Sequence, residues 1–334
     1  MSLREGSRTR QTRGRDGCIA LTALAGLPMA MLATVLAFPA HAAGTAQPGS
    51  LSLMREPTAA DRVLIVSPHP DDESLCCAGY IQRAVAAGAQ VTIVWMTAGD
   101  GFELDAFVVE RHLRLKGAGL ERLGLQRMGE ARAAGQVLGL TPDQLIVLGY
   151  PDRGLSALLG DYYSRTYRSR YTLSATIPYA TVLSPGSSYE GRNLERDLAT
   201  VIDRVQPTLV FAAAPEDLHS DHAISGVLAL RLLAARGKSD ALHYWIVHAG
   251  ESWPRPRGLH TELALLPPAR AVARNWAQFV LTPAERQRKF EALQRHRSQM
   301  EVMPRLPSMR STKCASVCRL PSMTSAPSSS VSFQ

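Results

Sequence analysis

The chain has 334 residues, of which 46% are hydrophobic and 20% are charged, a balance typical of a globular protein with a sizeable core. Of the formal charge of +8, residues 1–17 contribute +3 and residues 304–334 contribute +4, which leaves +1 for the body of the chain. A nearly neutral body gives no support for a nucleic-acid partner, and we predict none.

The N-terminus has the pattern of a secretory signal peptide. An arginine-rich start precedes the apolar run 18–38, and the small-x-small triplet Ala40-His41-Ala42 follows. We predict residues 1–42 as the signal, with cleavage after Ala42, and therefore an exported, periplasmic or extracellular protein without a stable membrane span. The alternative is an uncleaved anchor, because the run is long enough to cross a bilayer, but a glycine and a proline inside it favour removal.

The five cysteines predict no disulfide framework. Cys18 leaves with the signal, and Cys314 and Cys318 lie near the C-terminus. Cys76 and Cys77 are adjacent, and the geometry of a disulfide disfavours a bond between neighbours. We interpret these two as small buried side chains on a helix that packs against the sheet.

Beyond a polar linker over 43–60, strand-like and helical patterns alternate through a domain that we predict over 61–303. Strands are predicted at 63–67, 91–97, 145–150, 208–214 and 243–248, and helices at 73–87, up to about 138, at 193–205 and at 222–235. This alternation predicts an α/β sandwich with a mainly parallel sheet. Such sheets carry their chemistry in the loops at the carboxyl ends of the strands.

Two segments break this pattern. Residues 151–190 alternate tyrosines with arginines and serines, and we interpret them as an insertion near the mouth of the site or, alternatively, as a surface loop. A capping box with proline at the first helical position begins a helix at 282 that runs to about Met300. The serine- and proline-rich tail over 304–334 is predicted to be disordered, or aberrant through a shifted reading frame.

Polar clusters follow two of the predicted strands. SPHPDDESLCC (67–77) follows the apolar run VLIV, and PEDLHSDHAISG (215–226) follows TLVFAAA. Charges beside a core are costly unless something compensates them. Together the two loops supply His69, Asp71, Asp72, His219, Asp221 and His222.

This set contains the two imidazoles and one carboxylate that are the protein ligands of many catalytic zinc sites. The spacing of His69 and Asp72 lets one loop present both groups, and a helix that begins near His222 can supply the third. Taken singly, the acids are explained as helix caps and the histidines as a solvated helix edge. Their combination at equivalent strand ends favours a metal site. Phosphate-loop, G-x-S-x-G and H-E-x-x-H motifs are missing from the sequence.

The sequence resembles the LmbE/PIG-L family of zinc-dependent N-acetylglucosaminyl deacetylases over about residues 61–300. The resemblance rests on HPDDE (69–73) and HSDH (219–222), with further matches at TAGDG (97–101), RMGEARAAGQVLG (127–139), LGYPDRGL (148–155) and HRSQ (296–299). It implies a Rossmann-like three-layer fold and one zinc, or another divalent transition metal, per chain.

The resemblance also implies roles for individual residues. Zinc would be held by His69, Asp72 and His222, with Asp71 as the general base, His219 as the oxyanion or proton-transfer partner and Asp221 as the residue that orients His219. Arg127 and Asp152 would touch the sugar, and the alternative for Arg127 is a helix-surface salt bridge with Glu130 or Glu121. The insertion and the tail depart from the family pattern.

The predicted activity is hydrolytic removal of the acetyl group from an N-acetylglucosamine-type sugar or glycoconjugate. The predicted partner is this small-molecule or glycan substrate. Zinc polarises the carbonyl and lowers the pKa of water, while a carboxylate moves the proton. One alternative is a hydrolase of another small amide or ester. Another is an inactive carbohydrate-binding protein.

Overall fold

The structure, a computed structural model, describes residues 51–101, 116–250, 252–256, 260, 263–271 and 274–300, and the backbone of 317–319. All of them belong to one compact unit, Ala46–Gln334. The predicted signal peptide, residues 43–50 of the predicted linker and most of the predicted tail lie outside the described residues.

The described strands form one sheet in the order β1-β7-β8-β6-β5-β2-β3-β4. Their bounds are β1 Ser52–Leu53, β2 Arg62–Ser67, β3 Gln90–Thr97, β4 Leu145–Tyr150, β5 Leu209–Ala213, β6 Leu242–Trp245, β7 Asn275–Gln278 and β8 Val317–Arg319. The five strands from β6 to β4 pair in parallel, as do β1 and β7, while β8 is antiparallel to both of its neighbours. The predicted α/β fold with a mainly parallel sheet is confirmed.

The described helices alternate with these strands and flank the sheet. They are α1 Asp72–Cys76, α2 Ala78–Ala86, α3 Ala118–Val137, α4 Leu155–Leu159, α5 Gly191–Val205, α6 Ser220–Ala234, α7 Pro283–Leu293 and α8 Arg297–Met300, with short 3-10 turns at Pro142–Gln144, Ser239–Ala241 and Ala269–Ala271. Among the described residues, no helix combines the length and the apolar character needed to cross a membrane.

Apolar patterning accounts for these elements. In β2, residues 63–66 are all apolar and fully buried, as expected for a central parallel strand covered on both faces. In α5 the buried residues Leu194, Leu198, Val201 and Ile202 recur at helical spacing and turn one face to the core. The predicted capping box begins α7, where Thr282 Oγ1 accepts the amide of Glu285 and the Glu285 carboxylate accepts that of Thr282.

The predicted helix over 73–87 is two helices, because the helix breaks at Cys77. The structure joins Cys76 and Cys77 by a disulfide, with 3.8 Å between their Cα atoms. The expectation that neighbouring cysteines stay unbonded is therefore wrong here. The expectation of burial is correct, since both side chains belong to the core.

Three short strands, β1, β7 and β8, were not expected from the sequence, because each has only two to four residues. β1 lies within the predicted linker and pairs with β7. β8 lies within the predicted tail and inserts between β6 and β7. Strand pairing is a tertiary contact, and such short segments carry too little periodicity to predict it.

The 151–190 insertion packs on the domain through its tyrosines. Tyr167, Tyr179 and Tyr189 are buried in the core cluster, and Tyr162 packs against it. The ring of Tyr171 approaches Gly101 so closely that a Cβ there would lie 2.9 Å from it. The insertion therefore reaches the loop after β3, at the end of the sheet where the two polar loops lie.

Candidate active site

The two polar loops meet because their strands are neighbours. The central strand order is β4-β3-β2-β5-β6, so the chain runs outward in one direction from β2 and in the other from β5. Loops diverge at such a switch point and leave a crevice at the carboxyl ends of the strands. The loop over 67–72 and the loop over 214–219 line this crevice.

Three ligand atoms, two from the loop over 67–72 and one from α6, lie almost equidistant from one another. His69 Nδ1 is 3.2 Å from Asp72 Oδ2 and 3.2 Å from His222 Nε2, and His222 Nε2 is 3.1 Å from Asp72 Oδ2. Zinc bonds of about 2.0–2.1 Å in a tetrahedral site put ligand atoms about 3.3 Å apart. The spacing of the three atoms therefore fits one face of a tetrahedral metal site.

The charge of this cluster also fits a cation. Two imidazole lone pairs 3.2 Å apart repel each other unless a cation or a proton lies between them. Burial favours a neutral His222, but the carboxylates of Asp72 and Asp217 raise its pKa to about 10. Burial would raise the pKa of Asp72, but the imidazoles of His222 and His69 hold it well below its usual range. A divalent cation supplies the positive charge that these groups favour.

Asp217 fixes the tautomer of His222. Its Oδ2 lies 3.2 Å from His222 Nδ1 and accepts the backbone amides of Val247 and His248 at 3.0 Å. A ligating histidine commonly donates its second ring N–H to a carboxylate, which leaves the other nitrogen free to bind metal. With Nδ1 as the donor, Nε2 of His222 presents its lone pair to Asp72 and His69.

Asp221 does not have the predicted role of orienting His219 through its carboxylate. That carboxylate accepts the amides of Arg153 at 2.6 Å and Leu155 at 3.2 Å, and its Oδ2 lies 3.4 Å from His69 Nε2. Only the backbone amide of Asp221 reaches His219, at 3.3 Å. Asp221 therefore anchors the loop after β4 and borders His69, because its position in the first turn of α6 turns the side chain inward.

His219 is in a suitable state to donate a hydrogen bond. Burial and the charges of His69 and His222 lower its pKa to about 2, so the imidazole is neutral. Its Nδ1 accepts the Asp221 amide, which places the ring proton on Nε2. One ring nitrogen from each of His69, His219 and His222 lies within 4.8 Å of the others. His219 therefore lies next to the three closely spaced ligand atoms of His69, Asp72 and His222 but is not one of them.

Asp71 is set apart from its neighbour Asp72. Burial raises the pKa of Asp71 to about 7, although the Arg127 guanidinium, whose Nη2 lies 3.5 Å from Asp71 Oδ2, acts to lower it. Its backbone φ of 130° is rare outside glycine. Such a conformation costs about 1–3 kcal/mol and persists only where its surroundings impose it. The two adjacent carboxylates thus differ in both direction and proton affinity.

Asp152 lies beside His69, with Oδ1 3.2 Å from His69 Nε2. Its Oδ2 accepts the Gly101 amide, and its own amide donates to Asp100 Oδ1. Tyr179 of the insertion donates to the other oxygen of Asp100 at 2.6 Å. The insertion therefore supports the loop that carries Asp152, which sequence reasoning assigned to sugar contact.

Arg127 points into the domain and is only 2% exposed. Its guanidinium donates to the carbonyls of Gly99 at 2.7 Å and Pro70 at 2.9 Å. The alternative of a helix-surface salt bridge is therefore wrong. Arg127 ties the loop after β3 to the loop that carries Asp71, while its contact with a sugar stays a prediction.

Arg127→Ala should lower turnover while metal content stays unchanged, because two loop carbonyls lose their donor and the anchor beside Asp71 disappears. Steady-state kinetics and elemental analysis of the purified variant test this. Arg132→Ala on the same helix is the control, since Arg132 binds Thr181 instead. Unchanged kinetics in Arg127→Ala would contradict the expectation.

Sequence reasoning missed two residues of the site. Asp217 lies within the quoted PEDLHSDH motif, and the common pairing of a ligating histidine with a carboxylate was the signal that could have found it. His248 ends the predicted strand HYWIVH, and its ring centroid lies 4.8 Å from that of His222. Its place at a strand end was the same signal that identified the other two loops.

The family of the chain follows from its sequence match. Residues 64–233, about half of the chain, match the family described as PIG-L: GlcNAc-PI de-N-acetylase. The chain belongs to this family. The match spans the elements from β2 to α6, which carry both polar loops of the PIG-L site.

Named relatives agree with the PIG-L match. The 1D-myo-inositol 2-acetamido-2-deoxy-alpha-D-glucopyranoside deacetylase of Actinosynnema mirum is 32% identical over 213 residues, which are 63% of this chain and 68% of that protein. The protein of the same name from Nakamurella multipartita is 34% identical over 155 residues, 45% of this chain and 46% of that protein. The chain thus spans less than half the length of the second relative.

A solved structure is also similar. It is the N,N'-diacetylchitobiose deacetylase from Pyrococcus horikoshii, with 20% identity, a TM-score of 0.43 and coverage of 73% of this chain and 72% of that one. The PIG-L match and the named relatives confirm the predicted family and the prediction of a deacetylase-family enzyme.

Proposed function

We propose that this protein is a zinc-dependent deacetylase that hydrolyses the acetamide of an N-acetylglucosamine-type sugar or glycoconjugate to acetate and a free amine. The observation that carries the proposal is the set of three ligand atoms from His69, Asp72 and His222, spaced 3.1–3.2 Å apart beside a separate carboxylate. The names of the two relatives support the class of substrate.

The chain supplies the groups that acetamide hydrolysis needs. When bound, zinc acts as a Lewis acid that polarises the carbonyl and lowers the pKa of water. Asp71 accepts a proton from the attacking water as the new C–O bond forms. His219 Nε2–H donates a hydrogen bond to the carbonyl oxygen where negative charge develops. Asp71 then returns its proton to nitrogen as the C–N bond breaks, so the amine leaves neutral.

Assay of released acetate and free amine tests the proposal. Zinc-loaded full-length protein is incubated with N-acetylglucosamine, its glycosides, other small acetamides and acetate esters. Faster turnover of the N-acetylglucosamine group supports the proposed function. Preference for another amide or an ester would show that the protein is a hydrolase of a different small substrate. Saturable sugar binding without turnover would show that it is a carbohydrate-binding protein.

We further propose that the protein is exported and that its mature chain begins near Ala43. The basic, apolar and small-residue pattern over 1–42 supports this proposal. Terminal sequencing of the protein recovered outside the cytoplasm should find Ala43 or a residue close to it. Recovery of protein that begins at Met1 would overturn the cleavage and favour an uncleaved anchor.

A further inference from the structure

Glu73, the last acid of the HPDDE motif, is fully buried and has no role in the proposed chemistry. Its carboxylate contacts four polar groups, two from the nearby residues Asp71 and Ser74 and two from distant parts of the chain. Oε2 accepts the Asp71 amide at 3.0 Å and Trp95 Nε1–H at 2.7 Å. Oε1 accepts Ser74 Oγ–H at 2.6 Å and lies 3.1 Å from His296 Nε2.

One of these contacts is a hydrogen bond from the backbone amide of Asp71. That residue has a φ of 130°, which a non-glycine residue adopts only under constraint. The amide of Asp71 points at Glu73, so the hydrogen bond between them stabilises the unusual conformation directly. The orientation of the Asp71 carboxylate follows from that conformation, since rotation about φ moves the side chain relative to the amide.

The support for Glu73 is built from rigid elements. Trp95 lies in the central strand β3, and His296 lies between α7 and α8, 223 residues from Glu73 in the chain. Both side chains are buried. A carboxylate whose oxygens are hydrogen-bonded to side chains from two such elements has little freedom to move.

We propose that Glu73 is a positioning residue that holds the backbone of Asp71 in its productive conformation, and that His296 holds Glu73. This inference rests on the proposed function, in which Asp71 moves the proton. It assigns a role to His296, between the C-terminal helices α7 and α8, which completes the network behind Asp71.

Glu73→Gln tests the proposal because the amide keeps the shape of the side chain but turns an N–H₂ group toward donors. In a crystal structure of this variant, Asp71 should leave its positive φ and its carboxylate should move by about 1 Å, while His69, Asp72 and His222 stay in place. A displacement of this size costs on the order of 10²-fold in rate. We therefore expect kcat to fall by about that factor, with metal content and KM unchanged.

A double-mutant cycle separates positioning from a general structural role. If Glu73 acts through Asp71, Glu73→Gln should add little to the loss caused by Asp71→Asn. Additive losses would overturn the proposal. Glu291→Gln, on α7, is the matched control because Glu291 pairs only with Gln287 among the contacts described.

A pair of variants at His296 provides a second test should Glu73→Gln fail to fold. His296→Gln keeps an N–H donor toward Glu73 and should retain more activity than His296→Leu, which removes it. Equal kinetics in the two would contradict the proposal. If the wild-type protein releases no acetate, the proposed function fails, while the position of Asp71 in the crystal structures still decides this inference.

Discussion

Asp71→Asn is expected to keep its zinc and to lose about 10²–10⁴-fold in turnover. The amide preserves size and hydrogen-bonding reach but cannot accept a proton from water. Burial raises the pKa of Asp71 to about 7, so the native carboxylate can exchange a proton near neutral pH. Elemental analysis of zinc together with kcat for the purified variant measures both halves of the expectation.

Asp72→Asn is the matched comparison, since the two carboxylates are adjacent in the chain. Asp72 Oδ2 lies within 3.2 Å of a ring nitrogen from each of His69 and His222. Loss of its charge should weaken metal affinity, so residual activity should rise as zinc is added. If Asp71→Asn loses the zinc and Asp72→Asn retains it, the two roles are reversed and the proposed mechanism is wrong.

His222→Ala should lose most of the bound metal and nearly all activity. His222 is fully buried and supplies the ligand atom that α6 contributes to the set, so its loss leaves only two protein ligands on one loop. Wild-type protein should hold about one zinc per chain, and chelation should abolish its activity until metal is restored. Metal content, and activity before and after chelation, are the measurements.

Asp217→Asn refines the same test, because Asp217 touches the ring of His222 at Nδ1 and lies outside the ligand set. Loss of such a partner typically costs about 10–100-fold in metal affinity or activity, so this variant should lie between wild type and His222→Ala. His260→Ala is the control and should retain its metal. If His222→Ala keeps its full metal content and activity, His222 is not a metal ligand.

The sequence predicts the central strands because they are continuous apolar runs. Four of the five central strands, β2 to β5, lie within one or two residues of their predicted bounds, and β6 ends three residues early. The break in the helix at Cys77 was not predicted, because a disulfide between neighbouring cysteines leaves no periodic pattern in the sequence. The short strands β1, β7 and β8 were missed because they pair with segments that lie far away in the chain.

The sequence by itself determined the α/β class and the two loops that carry the metal-fitting residues, because apolar periodicity and motif spacing are local properties. Tertiary structure decided what each polar side chain faces. It turned Asp221 toward the loop after β4 and away from His219, directed Arg127 to the Pro70 and Gly99 carbonyls, and brought His296 to Glu73 across 223 residues. Such pairings depend on the strand order that places β2 beside β5, and no local pattern encodes that order.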